Sequence, residues 1–320
     1  MVSPWKVLLK PSYLGIVLLA LSFSVQLASA TLSSKRFDLT QPSHEYFRSK
    51  PLAGVNVQQS FAFDNTNKRL FFSQIRNAVP DKEGDLVITQ VDYSGKDVGH
   101  MYLNGFGHGA SLGAEAMGAA TYLWMEVDAD ANGYGQRLAR FKFTNGATLG
   151  SNDPKLTKYT PVEGATQHTC SIDTVNERLV VRAQLKDGKH VSVYDLDKAN
   201  KGDFEHPMAN FKEPKLPTKS NTIQGVAAYG QYMYILTGNQ YEITDNQINS
   251  EMTTVDMNTG GIVQGPLITR AGANLSYREP EGLAIYEVSP GKPRLFLGFA
   301  SGKKADREAN LFYKDTDALI

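Results

Sequence analysis

Cysteine is nearly absent from this sequence of 320 residues, in which Cys170 is the only one. An internal disulfide is therefore excluded, and the fold must be held by a hydrophobic core, which a chain of this length can supply. The run Thr169-Cys-Ser-Ile172 is typical of a strand. We predict that Cys170 is a small buried side chain and not a nucleophile.

An excess of either charge is absent too, since 33 basic residues balance 33 acidic ones and no long basic run occurs. Nucleic acids and anionic membranes attract clustered cations, so neither is expected as a partner. The motifs H-E-x-x-H, Cys-x-x-Cys and the P-loop do not occur. Zinc and nucleotide chemistry therefore have no support in the sequence.

Long apolar runs are confined to the N-terminus. Two lysines precede the apolar stretch Leu14 to Val25, and Ala28-Ser-Ala30 follows it as a small-residue cleavage site. This order is typical of a signal peptide. We predict cleavage after residue 30, secretion of a mature domain of residues 31–320 with 31 basic and 33 acidic residues, and no membrane contact afterwards. The alternative is a retained anchor, but the stretch is short and broken by polar residues, whereas a spanning helix needs about 20 apolar ones.

Helical periodicity is scarce after residue 31. Short apolar or alternating runs between Gly, Asn and Asp turns indicate many short strands instead. The segment from Gln59 to Phe72 aligns with the segment from His168 to Val181, and weaker copies of the same frame begin at His108, Gln224 and Glu281. The five starting residues are 49, 60, 56 and 57 residues apart, a period that fits four-stranded blades.

The period predicts an all-β fold, namely a five-bladed β-propeller, because a β-sandwich gives no reason for such spacing. We expect the protein to be a monomer. After Glu281 only three strands fit, so we expect Phe37 to Thr40 to supply the missing outer strand and close the ring. The Pro- and Lys-containing segment 213–220 is interpreted as a loop between blades.

The five starting residues should meet at one mouth of the propeller axis. They are polar, and Gln167 stands beside them; the predicted ligand-binding ring is Gln59, His108, Gln167, His168, Gln224 and Glu281. Gln and His combine donors and acceptors, as sugar hydroxyls require. The alternative is that these side chains only satisfy strand ends and bound water.

Two segments near that mouth also contain residues that could bind a ligand or react with it. Tyr122-Leu-Trp-Met-Glu126 places Trp124 and Glu126 on one face of a strand, where the indole would stack on a sugar or belong to the blade core. Gly109-Ala-Ser-Leu-Gly113 matches the G-x-S-x-G elbow in form. Ser111 is nevertheless disfavoured as a nucleophile, because no helix follows.

A third segment, Asp128-Ala-Asp-Ala-Asn-Gly133, has oxygen side chains at Asp128, Asp130 and Asn132, as in the first half of a calcium loop. The twelfth position is Ala139 instead of an acid, and no flanking helices are indicated. A hairpin turn is therefore favoured over a calcium site, and no other cofactor is predicted. Asn274-Leu-Ser276 is a glycosylation sequon that matters only in a eukaryotic host.

Several segments resemble a known group. They are Phe37-Asp-Leu-Thr, Gln59-Ser-Phe-Ala-Phe-Asp, Gly99-His-Met-Tyr-Leu, Gly105-Phe-Gly-His-Gly, Tyr122-Leu-Trp-Met-Glu, Arg137-Leu-Ala-Arg-Phe and Glu279-Pro-Glu-Gly-Leu. Together they resemble the propeller family of teichoic acid biosynthesis protein C, which includes phage receptor-binding and baseplate proteins and, more distantly, helveticin J-type bacteriocins. The resemblance covers residues 36 to 317. It implies a five-bladed propeller and, in phage members, attachment to cell-wall glycopolymer, but it implies no catalytic set.

Three functions stay open at this point. The first is secreted binding of a cell-wall glycan or another small polar, polyhydroxylated ligand in an axial pocket. The second is an enzyme, namely a glycoside hydrolase, lyase or cyclase, with Glu281 or Glu126 as the acid and His108 or His168 as the base. The third is a protein-interaction scaffold that uses the blade rims.

Overall fold

The computed structural model describes Met1, residues 33–220 and residues 222–320. The predicted signal peptide, apart from Met1, lies outside the described residues. Within the described part, no helix has the length and apolar character needed to cross a membrane.

Regular structure in the described residues is almost entirely β: 21 strands, β1 to β21 in chain order, and one α-helix, α1 (Leu196–Asn200). Strand β1 (His44–Pro51) comes before the first blade. Blade 1 contains β2 (Gln58–Asp64), β3 (Arg69–Ile75), β4 (Leu86–Val91), β5 (Asp97–Asn104) and, parallel to β5, β9 (Thr148–Gly150). Blade 2 contains β6 (Gly113–Met117), β7 (Ala120–Ala129), β8 (Gly135–Lys142) and β10 (Thr157–Tyr159).

The remaining three blades follow the same antiparallel order. Blade 3 contains β11 (Thr166–Asp173), β12 (Arg178–Leu185), β13 (Gly188–Asp195) and β14 (Ala209–Lys212). Blade 4 contains β15 (Ile223–Tyr229), β16 (Tyr232–Thr237), β17 (Glu251–Asp256) and β18 (Ile262–Ile268). Blade 5 contains β19 (Glu279–Glu287), β20 (Pro293–Lys303), β21 (Asp306–Lys314) and, as its outer strand, β1.

The inner strands β2, β6, β11, β15 and β19 form a ring, because each contacts the next and β19 contacts β2. The predicted five-bladed propeller is therefore confirmed, and the rival β-sandwich is wrong. Segment 213–220 connects β14 of blade 3 to β15 of blade 4, as expected for a loop between blades.

The outer strand of blade 5 differs from the prediction. It is His44–Pro51, with His44 opposite Tyr313, and not the segment Phe37 to Thr40. Phe37 forms only an isolated bridge with Leu319. The reason lies in packing: Phe47 is 7% exposed in the core between blades 5 and 1, whereas Phe37 is fully buried elsewhere, against blade 4.

The hydrophobic core is divided among the blade junctions. Each of its five clusters joins two neighbouring blades; Phe71 of blade 1, for example, shares a cluster with Met125 of blade 2. Burying apolar area contributes about 25 cal/mol per Å². Since no blade can bury its faces alone, the ring forms as a unit.

Candidate functional site

The inner strands share a β-bulge near their first residues in four of the five blades. The irregular register falls between Gln58 and Ser60, between Thr166 and Thr169, between Ile223 and Gly225, and between Pro280 and Leu283. A bulge adds one residue to a strand and redirects the side chains beside it. The predicted ring residues Gln59, Gln167, His168, Gln224 and Glu281 all lie in these bulges.

Glu281 lies where the inner strands of blades 4 and 5 come close together. A Cβ placed at Gly225 of blade 4 would come within 2.6 Å of the main chain of Gly282. The Glu281 side chain is 4% exposed, and no described residue hydrogen-bonds to its carboxyl group. Burial, with a contribution from nearby Glu279, raises the pKa of this carboxyl well above its usual range. Glu281 is therefore a buried carboxyl group whose neutral form is favoured by burial.

Gln59 and Gln224 are half-buried, but the two histidines turn away from a common ring. His168 is fully buried against blade 2, where its Nδ1 lies 2.7 Å from the carbonyl oxygen of Gln136. Burial lowers the pKa of this imidazole. His168 cannot reach a ligand on the axis, so this part of the predicted ring is wrong.

His108 lies in the glycine-rich loop before β6, not on the inner strand. Its ring stacks on Tyr134 of the hairpin between β7 and β8, with centroids 5.4 Å apart. Burial lowers the pKa of His108, and the nearby Asp81 carboxylate opposes this shift. The side chain therefore sits between blades 1 and 2. Of the six residues of the predicted ring, Gln59, Gln167, Gln224 and Glu281 remain as candidates.

Trp124 belongs to the core, which corrects its assignment to ligand binding. The side chain is fully buried, and its ring stacks on Tyr159 with centroids 5.1 Å apart. Its Nε1 donates to Glu115 at 3.1 Å. Because no part of the indole is exposed, it cannot stack on a bound sugar. The alternative weighed for this residue, the blade core, is the right one.

Glu126 acts as a clamp, because its carboxyl group holds the glycine-rich loop, residues 105–112 between β5 and β6, by hydrogen bonds. It is 1% exposed and accepts main-chain hydrogen bonds from Gly109 at 2.8 Å, Ala110 at 3.3 Å and Gly135 at 2.7 Å. Burial raises the pKa of this carboxyl, while the main-chain donors oppose the shift. A Cβ at Gly107 would collide with the carboxylate. With its oxygens committed to the loop, Glu126 does not contact substrate as a general acid would.

Ser111 and Cys170 support each other structurally. The Ser111 hydroxyl accepts a hydrogen bond of 3.0 Å from the main-chain N–H of Cys170. Cys170 is 4% exposed, and burial raises the pKa of its thiol. The prediction that Cys170 is a small buried side chain is confirmed.

The acidic side chains of the weak calcium candidate at the β7–β8 hairpin already have other partners. The Asp128 carboxylate pairs with Arg137 at 2.5 Å and with Lys158 at 2.5 Å, so two cations already occupy it. Asp130 instead accepts the main-chain N–H groups of Asn132 and Tyr134 at 2.8 and 3.1 Å. This is the hydrogen-bonding of a hairpin turn, the reading that the sequence favoured.

The space between the inner strands of blades 3 and 4 is narrow. A cavity of about 40 Å³ lies between β11, β15 and the loop before β6, lined among others by Ser111, Thr169, Arg182 and Ile223. One water occupies about 30 Å³, and small-molecule sites usually measure about 300–1,000 Å³. The cavity suits water and does not hold a sugar ring.

A larger cavity opens beside it. This groove, of about 550 Å³, runs between blades 3 and 4, and Ile223 lines both spaces. Its walls carry three lysines and an acid; the polar lining residues are Lys189, Lys212, Glu213, Lys215, Thr218 and Thr237. Glu213 is held by Arg182 in two hydrogen bonds of 2.6 and 3.0 Å. We call this cavity between blades 3 and 4 the lysine groove.

The three lysines leave the groove positive. Glu213 is compensated by Arg182, and Asp187 reaches Lys212 only at 3.3 Å from an exposed position. Lys189 is half-buried and donates to the Gln167 side chain at 3.4 Å, which links the groove to one bulge of the predicted ring. Burial, followed by the charge of Arg182, lowers the pKa of Lys189.

The clustering of these lysines is not evident from the sequence. Lys189 and Lys212 lie on two adjacent strands of blade 3, and Lys215 lies in the connecting segment, so only the fold brings them together. The lysine- and proline-rich composition of segment 213–220 is a signal of a basic surface as well as of a loop between blades.

Known proteins share this architecture. A curated relative from Bacillus subtilis (strain 168), named for a major teichoic acid biosynthesis protein C, is 27% identical over 292 residues. The aligned part covers 86% of this chain, and the chain spans 63% of the relative. The tail fibre of Staphylococcus aureus phage P68 matches with a TM-score of 0.67 at 20% identity over 87% of this chain and 53% of that one, a likeness that shows the fold.

A family model covers most of the blades. It is described as the phage five-bladed β-propeller receptor-binding platform domain, and it matches residues 57–313, from the start of blade 1 to β21 in blade 5. A match over so much of the ring shows the family. The chain belongs to the phage five-bladed β-propeller receptor-binding platform domains.

Proposed function

We propose that this protein binds an anionic, polyhydroxylated polymer of the cell surface, which lies in the lysine groove and extends over the adjoining mouth of the axis. The observation that carries the proposal is the groove itself, because three lysines line one cavity in a chain of balanced charge. Family membership supports a receptor on a cell surface. The name of the Bacillus relative supports a cell-wall glycopolymer.

In this proposal, charged side chains and neutral hydrogen-bonding side chains bind different groups of the polymer. Lysine ammonium groups bind phosphate or carboxylate groups of the polymer through charge-assisted hydrogen bonds. Gln59 and Gln224 in the bulges, with Ser111 and Thr169 at the axial cavity, present both donors and acceptors to hydroxyl groups. The ligand therefore covers the axial mouth without entering the narrow channel.

The test is sedimentation of the purified protein with isolated Bacillus subtilis cell walls, before and after acid removal of their phosphate-linked polymers. We expect binding to intact walls, loss of binding after stripping, and weaker binding as salt rises, because exposed charges are screened. The triple variant Lys189→Gln, Lys212→Gln, Lys215→Gln should bind about tenfold more weakly or worse, since charged hydrogen bonds contribute about 1.5–3 kcal/mol each before screening.

The matched control makes the same change of charge elsewhere. Lys96, Lys142 and Lys304 are exposed lysines on other blades, and their triple change to Gln should leave binding within about twofold. Equal binding by both triple variants would refute the groove as the site. Binding to stripped walls at full strength would refute the anionic polymer as the ligand.

The proposal includes export, which the N-terminal sequence predicts. Intact-mass measurement of the protein recovered from culture medium should show loss of the first 30 residues. A full-length, membrane-associated product would show that the segment is retained as an anchor.

A further inference from the structure

Blade 1 is the five-stranded blade. Its fifth strand, β9, runs parallel to β5 and places Thr148 opposite Tyr102. These two residues line a cavity of about 350 Å³, together with Val87, Arg76, Asn77 and the main chain at Gly54. The lysine groove lies between blades 3 and 4, so the two cavities are separate.

The polar groups of this cavity are fixed in place before any ligand arrives. Arg76 donates to Asn104 at 2.7 Å and pairs with Asp85 at 2.9 Å. The Asn77 side-chain oxygen accepts the main-chain N–H of Val55 at 3.0 Å, which points the amide nitrogen away from that bond. Preorganised side chains lose little entropy on binding.

The opposite wall of this cavity, at Gly54, is also fixed by hydrogen bonds. Gln74 is 1% exposed, and its amide accepts from the Gly54 N–H at 3.0 Å and donates to the Gly54 carbonyl at 3.0 Å. A Cβ at Gly54 would come within 2.8 Å of this amide, so the wall requires glycine here.

Three hydrogen-bonding groups remain unused by the described residues: the Tyr102 hydroxyl, the Asn77 amide nitrogen and the Thr148 hydroxyl. Tyr102 is half-buried, and its ring meets His100 edge-on with centroids 5.3 Å apart. The one cation, Arg76, is neutralised by Asp85. The cavity therefore offers an aromatic ring and neutral donors and acceptors without net charge.

We propose that this cavity, which we call the Tyr102 pocket, binds an uncharged pyranose sugar. An aromatic ring packs against the apolar C–H face of a sugar, while hydroxyl and amide groups bind its equatorial oxygens. The volume lies within the range of small-molecule sites. The absence of net charge distinguishes this ligand from the anionic polymer proposed for the lysine groove, and the inference does not depend on that proposal.

The test is saturation-transfer NMR on the purified protein with glucose, galactose and N-acetylglucosamine, each offered separately. We expect at least one sugar to receive saturation from the parent protein. Tyr102→Ala should weaken that binding about tenfold or more, because stacking and one hydrogen bond are both lost. Thr148→Arg, at an exposed position, should block the pocket and serves as the deciding variant where Tyr102→Ala does not fold.

Two controls place the site. Tyr122→Ala removes a half-buried tyrosine from blade 2, and the lysine-groove triple variant removes the positive charges; both should bind the sugar like the parent. The proposal is overturned if the parent binds none of the three sugars. It is also overturned if Thr148→Arg binds normally, or if the loss occurs in the lysine variant instead. None of these results bears on the wall-sedimentation test.

Discussion

The side-chain amide of Gln58 donates a hydrogen bond of 3.1 Å to the main-chain carbonyl of Glu281. This bond joins the inner strand of the first blade to that of the last, at the point where the chain completes its circle. Gln58 is 2% exposed, so water cannot replace the donor. This hydrogen bond therefore helps to close the ring and also holds the strands at the mouth of the axis.

Changing Gln58→Met should therefore lower the free energy of unfolding by about 1–3 kcal/mol, because a buried carbonyl loses its donor while the side-chain volume is nearly kept. The midpoint of urea unfolding measures the effect. Gln90→Met, a half-buried glutamine on β4 without a described side-chain hydrogen bond, is the control and should stay within about 0.5 kcal/mol of the parent. Equal midpoints for the two variants would contradict the role of Gln58.

Glu281 should make stability depend on pH. Burial raises the pKa of this carboxyl in the folded protein, so the folded state keeps the proton to a higher pH than the unfolded chain, in which the ordinary value is 4.5. Above that value the unfolded state binds fewer protons than the folded one, so stability falls as pH rises toward the raised folded pKa. Glu281→Gln cannot ionise and should gain in Tm relative to the parent as pH rises above about 4.5.

The control for that measurement is Glu83→Gln, which removes one exposed charge without any change in burial. Its difference in Tm from the parent should stay small over the same pH range. A constant difference between Glu281→Gln and the parent at every pH would show that burial of Glu281 does not control its ionisation.

Much of the fold could be predicted from the sequence because the signal repeats. The frame that starts at Gln59 and His168 recurs five times, and every recurrence strengthens the same conclusion about blades. The closing strand occurs once, without a second copy for comparison. Phe37 to Thr40 and His44 to Pro51 are both short and strand-like, and only the packing of Phe47 between blades 5 and 1 separates them.

The candidate site was less predictable because of the bulges. A repeat frame gives the position of a residue along a strand, but one inserted residue decides which way its side chain points. His168 lies in such a bulge and turns toward Gln136 of blade 2. Trp124 was ambiguous for another reason, since an aromatic residue beside an acid fits a binding surface and a core equally well in sequence. Its stacking on Tyr159 settles the matter.

Glu126→Ala should release the glycine-rich loop and lower the free energy of unfolding by about 3 kcal/mol or more, because several buried main-chain donors lose their carboxyl acceptor. Hydrogen exchange at the Gly109 and Gly135 amides should accelerate more than elsewhere in blade 2. Glu45→Ala, which breaks an exposed pair with Arg48, is the control and should cost at most about 1 kcal/mol. Unchanged exchange at Gly109 would refute the clamp.

Phe47→Ala should destabilise the protein by about 3–5 kcal/mol, since its ring is 7% exposed in the cluster that joins β1 to blades 5 and 1. Thermal unfolding measures the loss. Val55→Ala, at a 37% exposed position just beyond β1, is the control and should lie close to the parent. If both variants melt alike, β1 does not hold the ring together.

The pairing of β1 with β21 also sets an order in time. Residue 51 ends β1 and residue 306 begins its partner, so the ribosome must add roughly 255 residues between them, which takes about 13–50 s at 5–20 residues per second. During that interval the strands of blades 1 to 4 can pair with strands close by in sequence, whereas β1 stays unpaired and its apolar side stays exposed. Nascent chains of this protein are therefore most exposed to chaperones and to misassociation through β1, the first strand of the described residues, and completion of the last blade ends that exposure in one step.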